Sequence, residues 1–214
     1  MTQLSNAGGD ASAGASRACG LGLGLLAATW PADLRRELRT DHAGEAGAVM
    51  IYRGVLAVAQ DATVRAFAQH HLETEARHLA LIESVVPPSG RSRLLPLWRV
   101  AGWLTGALPA CFGPRAVYAT IEAVETFVDT HYAAQLVLID ELLPAADAHT
   151  RGSLTELRAL LAACQQDELA HRDDARGRRG LAARPSAFAA AALAAWCWVV
   201  GAGSAGAVRV SRWV

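Results

Sequence analysis

The unit Glu-x-x-His occurs twice in this chain, as Glu75-x-x-His78 in ETEARH and Glu168-x-x-His171 in DELAH. Residues three apart share a face only if the backbone is helical, so each pair can present an oxygen and an imidazole nitrogen to one point. Both units lie on apolar stripes. One runs Val64, Phe67, His71, Glu75, His78, Ile82, Val85, and the other Leu154, Leu157, Leu161, Cys164, Glu168, His171, Ala175. Such stepping by fours and threes marks the face a helix turns toward a core. A carboxylate there is costly unless its charge is compensated.

Two further helical stripes carry one glutamate each. Leu38, His42, Glu45, Val49, Tyr52, Leu56 form the first, and Val117, Ile121, Glu125, Val128, Tyr132, Gln135, Ile139 the other. The sum is four carboxylates and two imidazoles on four helices. That donor set is what a carboxylate-bridged pair of iron or manganese ions takes in a four-helix bundle. Without cations the four carboxylates would repel one another in a medium of low dielectric. Oxygen and imidazole ligands without thiolate favour iron or manganese over structural zinc. Glu73, Glu83, Glu122 and His70 read as surface residues, with Glu122 open as an alternative ligand because it lies one turn before Glu125. His42 reads as either a partner to a ligand or a packed core residue.

The rest of the pattern is helical too, giving an all-α, ferritin-like bundle with additional apolar helices. The expected helices cover about 32–60, 62–86, 114–143 and 151–177, with proline near the start or end of several. The loop PAADAHTRG (144–152) precedes the last of these, and RGRRG (176–180) closes it. In domain terms, 29–180 is the bundle, including an apolar segment at 94–110 that carries Trp98 and Trp103. Residues 1–28, rich in Gly, Ala and Ser, read as a flexible arm without the basic cluster of a signal peptide. Residues 181–214 form an apolar C-terminal helix, uncharged from 186 to 208. Its alanine and glycine content favours an interfacial or bundle-packing helix over a bilayer span, with Arg209 and Arg212 suited to anionic lipid.

Lys+Arg and Asp+Glu both total 20, so the formal net charge is zero and nothing points to nucleic acid. Cys19, Cys111, Cys164 and Cys197 are far apart and read as free thiols.

Several boxes together resemble the Coq7/Clk-1 family of demethoxyubiquinone hydroxylases: DHAGEAGA (41–48), ETEARH, LPLWRVAGWLTGAL (95–108), AVETFVDTHYAAQL (123–136) and DELAHRD (167–173). The resemblance runs over about 31–212. It implies a ferritin-like di-iron monooxygenase of ubiquinone biosynthesis, acting on a polyprenylated demethoxyubiquinol. It implies two Fe ions held by Glu45, Glu75, His78, Glu125, Glu168 and His171, the set the stripes already contain. O₂ is the implied co-substrate. His131 and Tyr132 match the family's His-Tyr pair, tied to electron delivery that depends on substrate; packing is the other role open to His131. The chain departs from the family at Ala46, where an aromatic residue is frequent, at Phe127 in VETF, and in a longer interval between Glu125 and Glu168.

The electrons must come from outside, NADH being one candidate, since no GxGxxG-type nucleotide fold is visible. Trp98, Trp103, Trp196, Trp198 and Trp213 are candidate contacts to membrane lipid. The expectation is a peripheral protein on the cytoplasmic face of a bacterial inner membrane, with a homo-oligomer or a ubiquinone-biosynthesis complex as further partners. Two other classes fit the ligand set: a ferritin-like iron-handling or peroxide-scavenging protein, and a lipid-binding protein in which metal is only a staple.

Overall fold

The computed structural model describes residues 29–214; the expected arm at 1–28 lies outside the described residues. Six α-helices follow one another. They are α1 (Ala32–Val58), α2 (Ala62–Val85), α3 (Leu95–Ala110), α4 (Pro114–Leu142), α5 (Ala148–Leu181) and α6 (Ala187–Ser211). Short 3-10 turns at Pro88–Gly90 and Leu143–Ala145 join α2 to α3 and α4 to α5. No strand occurs among the described residues.

Local chemistry sets the helix ends. The Asp61 carboxylate accepts from the Thr63 and Val64 backbone N–H groups and starts α2. Pro87 and Pro88 follow its end. Gly113, at φ 93°, makes the left-handed step before Pro114 opens α4. Helix α5 is longer than the expected 151–177. Asp147 caps it earlier by accepting from His149 and Thr150. Beyond Gly177 and Gly180 the terminal carbonyls are stabilised by Arg178 and Arg179 in the last turn, and by Arg115 Nη1, which donates to Arg179 O at 2.9 Å and to Ala182 O at 3.2 Å.

The long helices α1, α2, α4 and α5 form the bundle, with α1 against α2 and α4 against α5. Its interior has three zones. At one end an apolar cluster gathers Leu34, Leu38, Ile82, Ile139, Leu154, Leu157 and Leu161. At the other end Tyr52, Val55, Phe67, Val117, Ile121 and Val200 do the same. Each such buried aliphatic side chain contributes about 2 kcal/mol. The polar residues of the four stripes lie between these clusters, so apolar burial on both sides holds the charged layer in place.

Helix α3 crosses α1, and α6 packs on α4 and α1. The α1–α3 contact rests on glycine. Gly102 and Gly106, a G-x-x-x-G pair, sit on the backbone of Gly47 and Ile51, while Gly54 meets the backbone of Trp103. A Cβ added at Gly106 would collide with the Ile51 carbonyl oxygen, a backbone atom that cannot rotate away. Gly106→Ala is therefore expected to destabilise the fold by about 2 kcal/mol. Gly152→Ala, where an added Cβ meets nothing, is the control. Denaturant midpoints of the two variants check this, and equal midpoints would refute the close-packing account.

Candidate metal centre

All six candidate ligands of the stripes converge. Glu45 (α1), Glu75 and His78 (α2), Glu125 (α4), and Glu168 and His171 (α5) are buried, none more than 4% exposed. Their donor atoms fall into two groups, each within 4.8 Å: Glu45, Glu75, His78 and Glu168, and Glu75, Glu125, Glu168 and His171. Glu75 and Glu168 belong to both groups.

The individual oxygens follow the same division. Glu168 Oε1 lies 3.0 Å from His78 Nδ1, and its Oε2 lies 3.3 Å from His171 Nδ1. Glu75 Oε1 lies 3.0 Å from His171 Nδ1, and its Oε2 lies 4.0 Å from His78 Nδ1. Each shared carboxylate thus turns one oxygen toward each histidine.

The layer is starved of internal partners. Both Glu75 oxygens, Glu45 Oε2, Glu168 Oε2 and His171 Nδ1 accept or donate no hydrogen bond despite their burial. Their contacts with one another are close but are not hydrogen bonds. Buried polar atoms without partners are rare and call for an explanation. Two cations would satisfy these atoms and neutralise the four carboxylates, so the residues fit a pair of metal ions.

Electrostatics says the same. Burial, with Glu168 close by, pushes the Glu45 carboxyl up to about 7. Burial and Glu168 also push Glu75 and Glu125 well above the carboxylate range. Burial acts on Glu168 likewise, but the His171 and His78 rings beside it, His78 through a hydrogen bond, outweigh it and hold that carboxyl at about 2. His78 is raised to about 10: burial opposes the cation, while the Glu168 hydrogen bond and the nearby carboxylates overcome that.

A pH dependence follows for the metal-free chain. Glu45 binds its proton more tightly folded, at about 7, than at the ordinary 4.5. Its stabilising contribution is complete below the ordinary value and is lost as pH rises through the folded one. A shift of that size amounts to about 3 kcal/mol. With a chelator present, the denaturant midpoint should drop between about pH 5 and about pH 7.5. Added Fe²⁺ should remove most of the drop, and a flat chelated profile would refute this.

Around the ligands runs a shell of donors and acceptors. Tyr132 Oη donates to Glu45 Oε1 at 2.5 Å, and Tyr52 Oη donates to Glu125 Oε1 at 3.1 Å. His78 Nε2 lies 3.0 Å from Asp167 Oδ2, which orients the ring. The tyrosines mirror each other: each comes from the helix opposite the glutamate it serves. The repeated spacing Glu45-x₆-Tyr52 and Glu125-x₆-Tyr132 puts each tyrosine on the same inward face as a glutamate of its own helix, but it does not say which glutamate that tyrosine serves.

The remaining sequence candidates fall elsewhere. His131 does not join the ligands; its Nε2 lies 3.1 Å from Asp41 Oδ1. His42 is buried one turn before Glu45, with Nε2 3.3 Å from Glu83 Oε1. Glu122 is held by Arg176 and Arg179, outside both ligand groups. Glu73 and His70 are exposed. Burial and the nearby carboxylates push the Cys164 thiol far up, so it stays protonated beside the cluster.

An apolar cavity of about 370 Å³ lies between α1, α3, α4 and α6, and Gly44 and Val124, which precede Glu45 and Glu125, are among its lining residues. Gly44, Ile51, Trp98, Phe127, Val128, Trp196 and Gly203 line it, and Thr40, Thr105, Ser204 and Ser211 contribute hydroxyls. Phe127, a departure from the family's third-helix box, is therefore a wall residue.

The family described as "Ubiquinone biosynthesis protein COQ7" matches residues 32–211. The chain belongs to the COQ7 family. Among individual COQ7-family proteins, the chain is 39% identical over 143 residues to the 3-demethoxyubiquinol 3-hydroxylase of Rhodospirillum rubrum, covering 64% of this chain and 61% of that one. It is 31% identical over 188 residues to the mitochondrial NADPH-dependent 3-demethoxyubiquinone 3-hydroxylase of Caenorhabditis elegans, covering 87% and 93%. With the mitochondrial 5-demethoxyubiquinone hydroxylase of Saccharomyces cerevisiae the identity is 34% over 154 residues, covering 66% and 64%. The chain thus spans less than two thirds of the Rhodospirillum and yeast proteins and nearly all of the nematode one.

Proposed function

We propose that this protein is a 3-demethoxyubiquinol 3-hydroxylase, a di-iron monooxygenase that places a hydroxyl on the quinol ring of a polyprenylated ubiquinone precursor. The observation that carries the reading is the pair of four-donor groups sharing Glu75 and Glu168 next to an apolar cavity, in a COQ7-family chain.

Glu45 and His78 would hold one iron, Glu125 and His171 the other, and Glu75 and Glu168 both. When bound, the iron pair supplies the activation of O₂ that a ring C–H requires. The chain supplies the surroundings. Tyr132 and Tyr52 fix the two unshared glutamates, and Asp167 fixes the His78 ring. The apolar zones on either side exclude water from the layer. The cavity suits an isoprenoid-substituted ring, and Thr40 offers the only hydroxyl on the α1 wall of it. His131 and Tyr132 are proposed to take part in electron delivery, Tyr132 through Glu45. The reductant is external, a reduced nicotinamide dinucleotide; the name of the Caenorhabditis elegans relative carries the words NADPH-dependent.

Membrane association supports the route of the substrate. Helix α6 is long and apolar enough to cross a bilayer by length and composition. Phe188, Trp198, Val199 and Trp213 are exposed on the C-terminal segment, and Leu97, Val100, Trp103, Leu104 and Leu108 on α3. Because α6 also packs on α4 and α1, an in-plane position on the cytoplasmic face of a bacterial inner membrane is proposed, with α3 and α6 dipping into lipid. Assembly with a second copy or with other ubiquinone-biosynthesis proteins belongs to the same reading. An iron-handling role is the second reading, and the apolar cavity disfavours it, since iron or peroxide needs no such chamber.

Expression in a cell lacking its own hydroxylase, with quinones measured by mass spectrometry, tests the proposal. Ubiquinone restored by the wild-type chain and lost with His171→Ala supports it. Demethoxyubiquinone persisting beside a folded, iron-loaded chain would sink it, and iron oxidation without quinone product would favour the second reading.

A further inference from the structure

Four polar side chains, Thr40, Asp41, His131 and Gln135, meet between α1 and α4 and are left unexplained by ligand binding. Asp41, one turn before Glu45 on α1, is buried, and its Oδ2 has no partner. His131 Nε2 lies 3.1 Å from Asp41 Oδ1, 2.9 Å from Thr40 Oγ1 and 2.8 Å from Gln135 Nε2. Gln135 Nε2 also donates to Asp41 Oδ1 at 2.5 Å.

These three neighbours of one ring nitrogen differ in kind. A carboxylate only accepts, an amide NH₂ only donates, and a hydroxyl does either. With a proton on Nε2, the ring donates to Asp41 and Thr40. Without it, the lone pair accepts from Gln135. Either state of His131 therefore finds a partner without moving the backbone. A histidine that serves only packing needs one set of partners, not both. Thr40 is at once a neighbour of His131 and part of the cavity wall.

We propose that Asp41, Gln135 and Thr40 make His131 a reversible proton carrier for the quinol head group, Asp41 being a positioning residue that acts only through His131. This deepens the proposed hydroxylase reading and rests on it. In the step, the Nε2–H bond breaks and an O–H bond forms on a quinolate oxygen at the cavity wall, by way of the Thr40 hydroxyl. The ring is left neutral and accepts from Gln135. It regains a proton from solvent at its edge, where the His131 side chain is 12% exposed. No electrons move in this exchange.

The charged groups facing His131 are Asp41 and Glu37 from α1 and Arg212 from the end of α6. Burial disfavours the imidazolium, but the Asp41 hydrogen bond and charge overcome it, so the ring holds its proton above the ordinary range. Burial pushes Asp41 up as well, against the hydrogen bond and charge of His131.

Histidine-edited NMR titration of the metal-free full chain, with the His131 signal assigned from His131→Gln, provides the test. In the wild type His131 should titrate above free histidine, and Asp41→Asn should lower its proton affinity tenfold or more. In the iron-loaded enzyme the alkaline limb of kcat should move to lower pH by the same factor, with iron content unchanged. Asp41→Glu should restore part of both shifts. Thr40→Val should lower kcat while leaving the His131 titration in place. An Asp41→Asn protein whose His131 titrates as in the wild type overturns the proposal, as does a Thr40→Val enzyme with full kcat. If Asp41→Asn does not fold, a wild-type His131 value at or below that of free histidine overturns it and a higher one supports it. A wild-type chain that makes no hydroxylated quinol would overturn the function as well, whereas the NMR arm needs neither iron nor quinol and isolates failure of the pair alone.

Discussion

Glu75→Ala is expected to abolish loading of both proposed irons, whereas Glu45→Ala is expected to weaken only one. The difference comes from the division of donors. Glu45 belongs to a single four-donor group, while Glu75 belongs to both. Removing Glu75 takes one oxygen from beside His78 and another from beside His171. Even a mutation behind a ligand costs metal affinity 10–100-fold, so loss of a shared ligand should cost at least roughly 10²-fold at each position. Hydroxylation should fall to background in Glu75→Ala. Iron per chain and the visible spectrum of the oxidised centre would distinguish the variants. Retention of two irons in Glu75→Ala would refute the shared-carboxylate assignment.

Stability should move the other way when metal is absent. Glu75 is buried with both oxygens unpartnered, next to three other carboxylates. At neutral pH that carboxyl is ionised in the unfolded chain but is driven to take up a proton on folding, a cost that the neutral amide avoids. A metal-free Glu75→Gln chain more stable than the metal-free wild type would mark these residues as sacrificing stability for a site. That pattern separates ligands from residues kept for packing.

How far the sequence could carry these statements depends on the range of the interaction involved. Helical stepping placed Glu45, Glu75, His78, Glu125, Glu168 and His171 on inward faces because that information is local, fixed by 3.6 residues per turn. The same stepping put Tyr52, His71, Cys164 and Gln135 inside, and all four are buried. It could not say which carboxylates are shared. That depends on how α2 and α5 face each other across the bundle, and no single helix encodes it. Nor could it pair Tyr132 with Glu45 or Asp41 with His131, since each joins α4 to α1. The resemblance to the COQ7 family had pointed to His131 and Tyr132, but not to Asp41 and Gln135 behind them.

The packing of α3 shows the same limit from another side. LPLWRVAGWLTGAL reads as apolar throughout, which names no face. Gly102 and Gly106 decide the face, because only there can the α1 backbone come close. Once α3 lies on that line, Trp98 borders the cavity while Trp103 and Leu104 remain outside. A short glycine spacing thus determines which tryptophan meets substrate and which meets lipid in the proposed reading.

The cavity can be tested without disturbing the metal layer. Gly203 lines it from α6, and a Cβ added there meets nothing within 4 Å. Gly203→Trp should therefore fold, and the indole would occupy much of the roughly 370 Å³ otherwise open to a ring and its isoprenoid tail. Gly201, two residues earlier on the same helix, is equally unhindered but does not line the cavity. Gly201→Trp adds the same bulk on another face. Because displacing a substrate by about 1 Å can cost 10²-fold, Gly203→Trp is expected to lower kcat/KM on the order of a hundredfold. Gly201→Trp should stay near the wild type, and both variants should keep two irons and the wild-type melting temperature. Purified variants assayed with a short-tailed demethoxyubiquinol would read the difference. Equal activity in the two would place the substrate elsewhere. A loss in both would trace the effect to the membrane-facing surface of α6 rather than to its cavity wall.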